Sequence, residues 1–250
     1  MRLSELGASE GLKVGQEAGP VASWRHLGGF FLIGAGVVAM GFVAQHAPTA
    51  SGAATGQLAS HSQAIPIYLT AIAMDWALLY YCWVGIHRRG VTLEMLSGGR
   101  WTSWRSVAVD IAILVPFWAI WEGAAYGVDR LLGPTAAKSV DSLLPKSFLE
   151  ILIWIATACT AGICEELVFR GYLQRQMRAA TGSGTAAVIG QGLVFGLFHS
   201  YQGWKNVVVI SVLGVLYGML AAWRGNLRVN IVSHAATDIW EGWLKFVVLR

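Results

Sequence analysis

The sequence predicts an all-α fold, a polytopic membrane bundle of about seven transmembrane helices. Hydrophobic residues make up 55% of the 250 residues and charged residues only 13%, about half the charged share of an ordinary soluble domain. The apolar residues fall in long runs, and a helix needs about 20 of them to cross the hydrocarbon core. Because lipid cannot satisfy open backbone groups, runs of this length are expected to cross as helices and not as barrel strands.

Seven apolar segments are long enough to span or nearly span a bilayer. The fifth has 16 residues, so we expect it to stop short of the far side or to border a cavity. In chain order the predicted spans are 27–44, 65–86, 106–127, 148–168, 185–200, 206–223 and 229–248.

These spans divide the chain into three predicted regions. Residues 1–26 are polar and glycine-rich and are predicted to form a flexible cytoplasmic tail. Residues 27–147 are predicted to form an N-terminal region of three membrane helices. Residues 148–250 are predicted to form a catalytic core of about four membrane helices.

The distribution of lysine and arginine predicts the orientation. With the N-terminus inside, cytoplasmic segments hold twelve of these residues and the opposite segments five, so the positive-inside rule places the N-terminus in the cytoplasm. The formal charge of +4 therefore reflects topology, and we expect no nucleic-acid partner. The short loops are typical of a bacterial inner (cell) membrane protein.

Several familiar site patterns do not occur in the sequence. The three cysteines lie in apolar spans at no metal-ligand spacing. There is also no His-Glu-x-x-His helix, no Gly-x-Ser-x-Gly elbow and no phosphate-binding glycine loop with lysine. Serine hydrolases and nucleotide-driven proteins are therefore disfavoured.

Two adjacent acids end the fourth apolar run, and an arginine follows them. Each charged group near the middle of a bilayer helix costs about 2.5–3.5 kcal/mol on insertion scales. Glu166 and Arg170 are spaced i to i+4 and are predicted to pair as a structural unit. Glu165 has no obvious local partner, which makes it a candidate functional residue.

Three further polar residues are relevant: His199 is predicted to lie near Glu165, and His234 and Asp238 are predicted to lie near each other. Glu165 precedes Gly182 by seventeen residues and His199 follows it by seventeen, so a helical hairpin about this glycine places the two side chains at similar depth. On the last span, His234 and Asp238 are four residues apart and share one helical face.

Structural interpretations are also open for these residues. His199 could bond backbone at a span end, and His234 with Asp238 could be a packing pair, since polar groups often join membrane helices. Asp75 and Glu122, inside the second and third spans, could face the bundle interior or line water. The functional hypothesis rests on the conjunction of the polar residues.

Small residues also predict close helix packing next to the histidine. Gly192-x-x-x-Gly196 and Gly214-x-x-x-Gly218 occupy the fifth and sixth spans. Glycines at this spacing let two membrane helices approach closely. We expect these faces to pack the helix that bears His199.

Three motifs lie in order on predicted membrane helices: Glu165-Glu166-x-x-x-Arg170, Phe195-x-x-x-His199 and His234-x-x-x-Asp238. In order and spacing, residues 148–240 resemble the CAAX protease and bacteriocin-processing (CPBP, Abi-type) family of intramembrane endopeptidases. The resemblance implies that Glu165 is the general base and that His199 helps to orient water. It implies that His234 and the residue at position 238 stabilise the oxyanion.

Asp238 departs from the family pattern, because the best-understood members carry asparagine there. An ionised aspartate cannot donate a hydrogen bond to an oxyanion. It could be protonated; it could accept from His234 and hold an imidazolium; or Glu165, His199, His234 and Asp238 could bind zinc. We favour a mechanism without a cofactor, because carboxylate and imidazole suffice as acid and base.

The resulting hypothesis is an intramembrane endopeptidase that cleaves membrane-anchored or lipidated proteins at the bilayer. The family acts on prenylated C-termini, bacteriocin leaders or sorting tails, and the sequence selects none of these. One alternative is a non-catalytic membrane scaffold or bacteriocin-immunity factor with the same fold. Another is a proton-coupled transporter, although the sequence shows no paired repeats.

Overall fold

The computed structural model describes residues 19–46, 64–133 and 144–248. All regular structure in these ranges is helical, which confirms the all-α class. Residues 1–18 of the predicted tail lie outside the described residues. In chain order the helical segments are α1 (Trp24–His46), α2 (Ala64–His87), α3 (Leu93–Ser97), α4 (Trp104–Leu132), α5 (Phe148–Glu165), a π-helical segment (Glu166–Leu173), α6 (Gln174–Thr181), α7 (Gly184–Phe198), a 3-10 turn (Ser200–Gln202), α8 (Trp204–Arg224) and α9 (Arg228–Val248).

Each of the seven predicted spans coincides with a helix. Within the described ranges, five helical stretches are long and apolar enough to cross a membrane: Trp24–Val43, Ala64–His87, Trp104–Leu132, Phe148–Thr181 and Trp204–Arg224. Helix α7 is apolar but has only 15 residues, in line with the short fifth span. Helix α9 has 21 residues, but a row of polar side chains makes it less apolar than the other long helices. The protein is an integral membrane protein.

The fourth span is part of a 34-residue helical stretch, Phe148–Thr181, which combines α5, the π-helical segment and α6. Ser147 caps its start, because the serine hydroxyl accepts a hydrogen bond from the Glu150 N–H. Gly182 caps its end with a left-handed φ of +67°, which suits glycine. The chain then reverses into α7, which confirms the predicted hairpin.

Glycines set the distance between α7 and α8. A Cβ atom on Gly214 would lie 2.8 Å from the Gly192 Cα, and one on Gly196 would lie 2.5 Å from the Val207 carbonyl oxygen. Backbone thus lies directly against backbone, as small residues permit between membrane helices. This confirms the close packing that the glycine spacing predicted.

Helix α6 ties the N-terminal part of the structure to the core. Gln176 is fully buried, donates to the Ala22 carbonyl (3.1 Å) and accepts from the Ala22 N–H (3.2 Å). One residue earlier, Arg175 donates to the carbonyls of Met95 (3.2 Å) and Leu96 (3.0 Å). The start of α1 and the end of α3 are therefore fixed against the same helix.

A buried acid joins α4 to the turn between α8 and α9. Asp110 is 4% exposed and accepts from Arg224 at 2.6 Å, from Arg228 at 3.2 Å and from the Trp101 indole at 2.8 Å. Two arginines and an indole supply the donors that a buried carboxylate needs. This cluster holds α4 beside the helix that carries His234.

Substitution of Gly214 by Ala is expected to destabilise the protein by about 1–3 kcal/mol, because the new methyl group meets backbone that cannot give way. Thermal unfolding of the purified protein in detergent measures this. Gly36 on α1 is the matched control, because a Cβ there meets nothing within 4 Å and Ala favours a helix. Equal effects of the two substitutions would contradict the close α7–α8 contact.

Candidate active site

His234 lies at the centre of a polar cluster within the bundle. Its Nε2 atom is 3.7 Å from Glu165 Oε2 and 3.8 Å from Asp238 Oδ2. Its Nδ1 atom is 2.9 Å from Glu166 Oε1. The structure therefore brings the glutamate pair at the end of α5 against the His-x-x-x-Asp face of α9.

Glu166 is held by three hydrogen-bond donors. Arg170 Nη1 donates to Oε1 at 2.8 Å, and Asn230 Nδ2 donates to Oε2 at 3.1 Å. The third donor is His234, because an ionised carboxylate only accepts and the Nδ1 atom must then carry the proton. Glu166 thus fixes both the position and the tautomer of the His234 ring.

Arg170 is fully buried and forms the predicted ion pair with Glu166. Its Nη2 also donates to the Gly214 carbonyl at 3.3 Å. The guanidinium lies 4.3 Å from the centre of the Phe195 ring and 5.2 Å from that of Tyr217. Cation–π contacts of this kind replace part of the lost hydration, so the charge is stabilised without water.

Glu165 is the less constrained member of the pair. Its Oε2 atom is buried, and among the described residues it has no hydrogen-bond partner. The π-helical segment Glu166–Leu173 begins directly after it. At the end of this segment the Gln174 N–H donates to the carbonyl of Phe169, five residues earlier, which is the π-helical pattern. Such segments are common at functional sites, although nothing in the sequence predicted this one.

His199 ends α7, where its Nδ1 atom lies 2.9 Å from the Phe195 carbonyl oxygen. A carbonyl only accepts, so Nδ1 is the donor and Nε2 of the neutral ring is left as an acceptor. His199 also lies close enough to Glu165 for the two groups to interact electrostatically. The hairpin therefore brings a carboxylate and an imidazole acceptor together.

The two further acids of the membrane helices have different surroundings. Asp75 on α2 interacts electrostatically with Glu165, His234 and Asp238, so α2 adds a fourth carboxylate near the His234 ring. The sequence indicated a role for Asp75 only through the position of this acid in an apolar span. Glu122 lies on the exposed surface of α4, so of the two possibilities open for it, the one that faces the bundle interior does not hold. Asn230 gave no signal, because a single amide resembles any polar residue on a helix.

The side chains do not fit the zinc alternative. Across residues 19–46, 64–133 and 144–248, no three His, Cys, Asp or Glu side chains are arranged to hold a metal ion. Glu166, which reaches His234, is already occupied by Arg170 and Asn230. We therefore derive no step through a metal, and the metal-free mechanism stays a prediction.

Comparison with known proteins finds a family match for the part of the chain that contains most of this cluster. Residues 147–240 match the family described as type II CAAX prenyl endopeptidase Rce1-like. The predicted family resemblance is confirmed. The Rce1-like region includes Glu165, His199, His234 and Asp238, whereas Asp75 lies outside it. No curated protein and no solved structure matches the chain. The Rce1-like match and the long apolar helices together support a role as a membrane protease.

Substitution of Arg170 by Gln is expected to lower the stability by about 3–5 kcal/mol, because it leaves a buried carboxylate without its counter-ion. The yield of monodisperse protein and its thermal unfolding in detergent measure the effect. The same substitution at Arg100 is the control, because its 3.5 Å pair with Glu94 is exposed and is worth at most about 1 kcal/mol. An Arg170 variant as stable as the Arg100 variant would contradict the structural role.

Proposed function

We propose that the protein is an intramembrane endopeptidase that hydrolyses a peptide bond of a membrane-anchored or lipidated protein, with Glu165 activating the water. The contrast between the two adjacent glutamates carries this proposal. Glu166 is saturated by three donors, whereas the Glu165 Oε2 atom is buried and has no hydrogen-bond partner in the described structure. A buried acceptor near two imidazoles is suited to hold and deprotonate a water molecule.

The first step of the proposed reaction uses Glu165 and His199. Glu165 accepts one hydrogen of the water and the Nε2 atom of His199 accepts the other. As the water oxygen attacks the scissile carbonyl carbon, its proton moves to the Glu165 carboxylate. Two fixed acceptors also orient the water, so that less entropy is lost when the transition state forms.

His234 is the proposed donor to the oxyanion. Its Nδ1 proton is held by Glu166, and Nε2 lies between Glu165 and Asp238. Two carboxylates near Nε2 stabilise the imidazolium form, which can donate from this atom. A preorganised donor of this kind lowers the barrier by about 3–4 kcal/mol.

Asp238 supports the imidazolium in this proposal and does not contact the oxyanion itself. Its Oδ2 atom is 3.8 Å from His234 Nε2, a distance at which charges attract but no hydrogen bond forms. Of the three interpretations open for this residue, the geometry thus favours the one in which it holds the charged ring.

The reaction ends when Glu165 returns its proton. The tetrahedral intermediate collapses, the carbon–nitrogen bond breaks, and the Glu165 carboxylic acid protonates the leaving amine. The water has then supplied OH to the new carboxyl group and H to the new amino group, and no oxidant or cofactor is consumed. We place this reaction in a bacterial inner membrane, with the N-terminus of the protein in the cytoplasm.

Substitution of Glu165 by Gln is expected to abolish cleavage, because an amide cannot accept the water proton. Cleavage is measured on peptides that co-purify with the inactive variant and are identified by mass spectrometry. Glu122→Gln, at the exposed acid of α4, should cleave at the normal rate. Full activity of the Glu165 variant would exclude the role of Glu165 as the base. If the wild-type protein binds these peptides but never cleaves them, the protein is a scaffold and the proposal is wrong.

Chelator treatment is expected to leave cleavage unchanged, because carboxylate and imidazole groups supply the acid and base. The treated protein is analysed for metal content and then assayed on the same peptides. Loss of activity that stoichiometric zinc restores would contradict the metal-free mechanism.

A further inference from the structure

We propose that the protein binds the headgroup of an anionic phospholipid in a cavity between α6, α7 and α8. The cavity has a volume of about 530 Å³ and opens beside the turn that joins α6 to α7. It shares no residue with the cluster around His234. Its lining combines a basic, polar mouth with apolar walls.

Arg178 supplies the positive charge at the mouth. It is half-buried and lines the cavity, yet its side chain has no hydrogen bond, ion pair or ring contact with any described residue. Its neighbour Arg175 is bound to two carbonyls of α3, and Arg224 is paired with Asp110. Arg178 therefore keeps its full capacity to bind an anion at the place where the cavity opens.

The start of α7 adds further donors beside Arg178. Ser183 caps this 15-residue helix by accepting from the Ala186 N–H. The preceding N–H groups, of Gly184 and Thr185, form no hydrogen bond within the described ranges, and both residues line the cavity. Free N–H groups and the positive end of the helix dipole favour a phosphate at this position.

The remaining walls of the cavity identify the class of ligand. Val188, Val215 and Met219 line the cavity along α7 and α8, and Met219 is 56% exposed on the long apolar helix α8. A small soluble anion would leave these walls without a partner. A phospholipid places its phosphate at Arg178, at the end of the membrane-spanning stretch Phe148–Thr181, and its acyl chain along the apolar wall.

Lipid binding to the full-length protein tests the proposal without any assay of cleavage. The detergent-solubilised protein is titrated with phosphatidylglycerol and with phosphatidylcholine of the same acyl chains, and bound lipid is counted by native mass spectrometry. We expect phosphatidylglycerol to bind more tightly. Arg178→Gln should lower its affinity about fivefold and weaken phosphatidylcholine less, because the positive choline group already offsets the attraction of Arg178 for that phosphate. Arg178→Lys should retain most of the preference.

Arg89→Gln is the matched control, because Arg89 is exposed after the end of α2 and lies outside the cavity. If it lowers phosphatidylglycerol binding as much as Arg178→Gln, the attraction is a general surface effect and the site is refuted. Competition by millimolar inorganic phosphate would likewise refute it, because the site would then bind soluble anions. Thermal unfolding establishes that each variant remains folded.

A second pair of variants tests the cavity itself. Ala222, an exposed residue of α8, lines the cavity, whereas Ala73 on α2 is exposed elsewhere. Ala222→Phe should fill the apolar wall and reduce lipid binding several-fold, and Ala73→Phe should not. Equal binding by the two variants would overturn the assignment of this cavity.

Discussion

The buried ion pair between Glu166 and Arg170 is the interaction on which the rest of the structure depends. Burying two charges costs several kcal/mol for each ion unless other groups complete their hydrogen bonds. Here α8 supplies the Gly214 carbonyl and the Tyr217 ring to Arg170, and α7 supplies the Phe195 ring. Helix α9 supplies Asn230 and His234 to Glu166. Any displacement of α8 or α9 would therefore leave a charge uncompensated. These polar contacts act together with the close glycine packing of α7 on α8 to fix the relative positions of the helices in the Rce1-like region.

The same pair gives the two neighbouring glutamates different surroundings. The helix changes to π geometry at Glu166, and the side chain of that residue is bound to Arg170 and α9. Glu165 remains in the regular helix and lies near the two imidazole rings of His199 and His234. Glu166 thereby stabilises the fold, whereas the preceding residue, Glu165, is left with a buried oxygen that has no hydrogen-bond partner in the described structure. In the proposed reaction, Glu166 holds the His234 ring in place, and Glu165 accepts the water proton next to that ring.

Much of this arrangement could be predicted because it follows from local spacing. The helices, the reversal at Gly182, the Glu166–Arg170 pair and the glycine contacts all depend on residues close in sequence or on matching small faces. The contacts of Glu166 with Asn230 and His234 could not be predicted, because they depend on how far each helix rotates about its axis. Glu122 shows the same limit, since an acid in an apolar run could face either the bundle or its surface. The π-helical segment has no sequence signal and requires tertiary contacts to stabilise it.

The position of Asp75 has a consequence for the surroundings of His234. The Rce1-like region begins after the first four helices. Even so, α2 contributes a carboxylate near Glu165, and Gln176 of α6 binds the backbone of Ala22 just before α1. The surroundings of His234 are therefore not made by the Rce1-like region alone. A chimaera with foreign N-terminal helices would change the electric field around His234 even if every residue of the Rce1-like motifs were retained. In the proposed reaction, helices outside the Rce1-like region would thus influence the charge around His234 although they carry none of its three motifs.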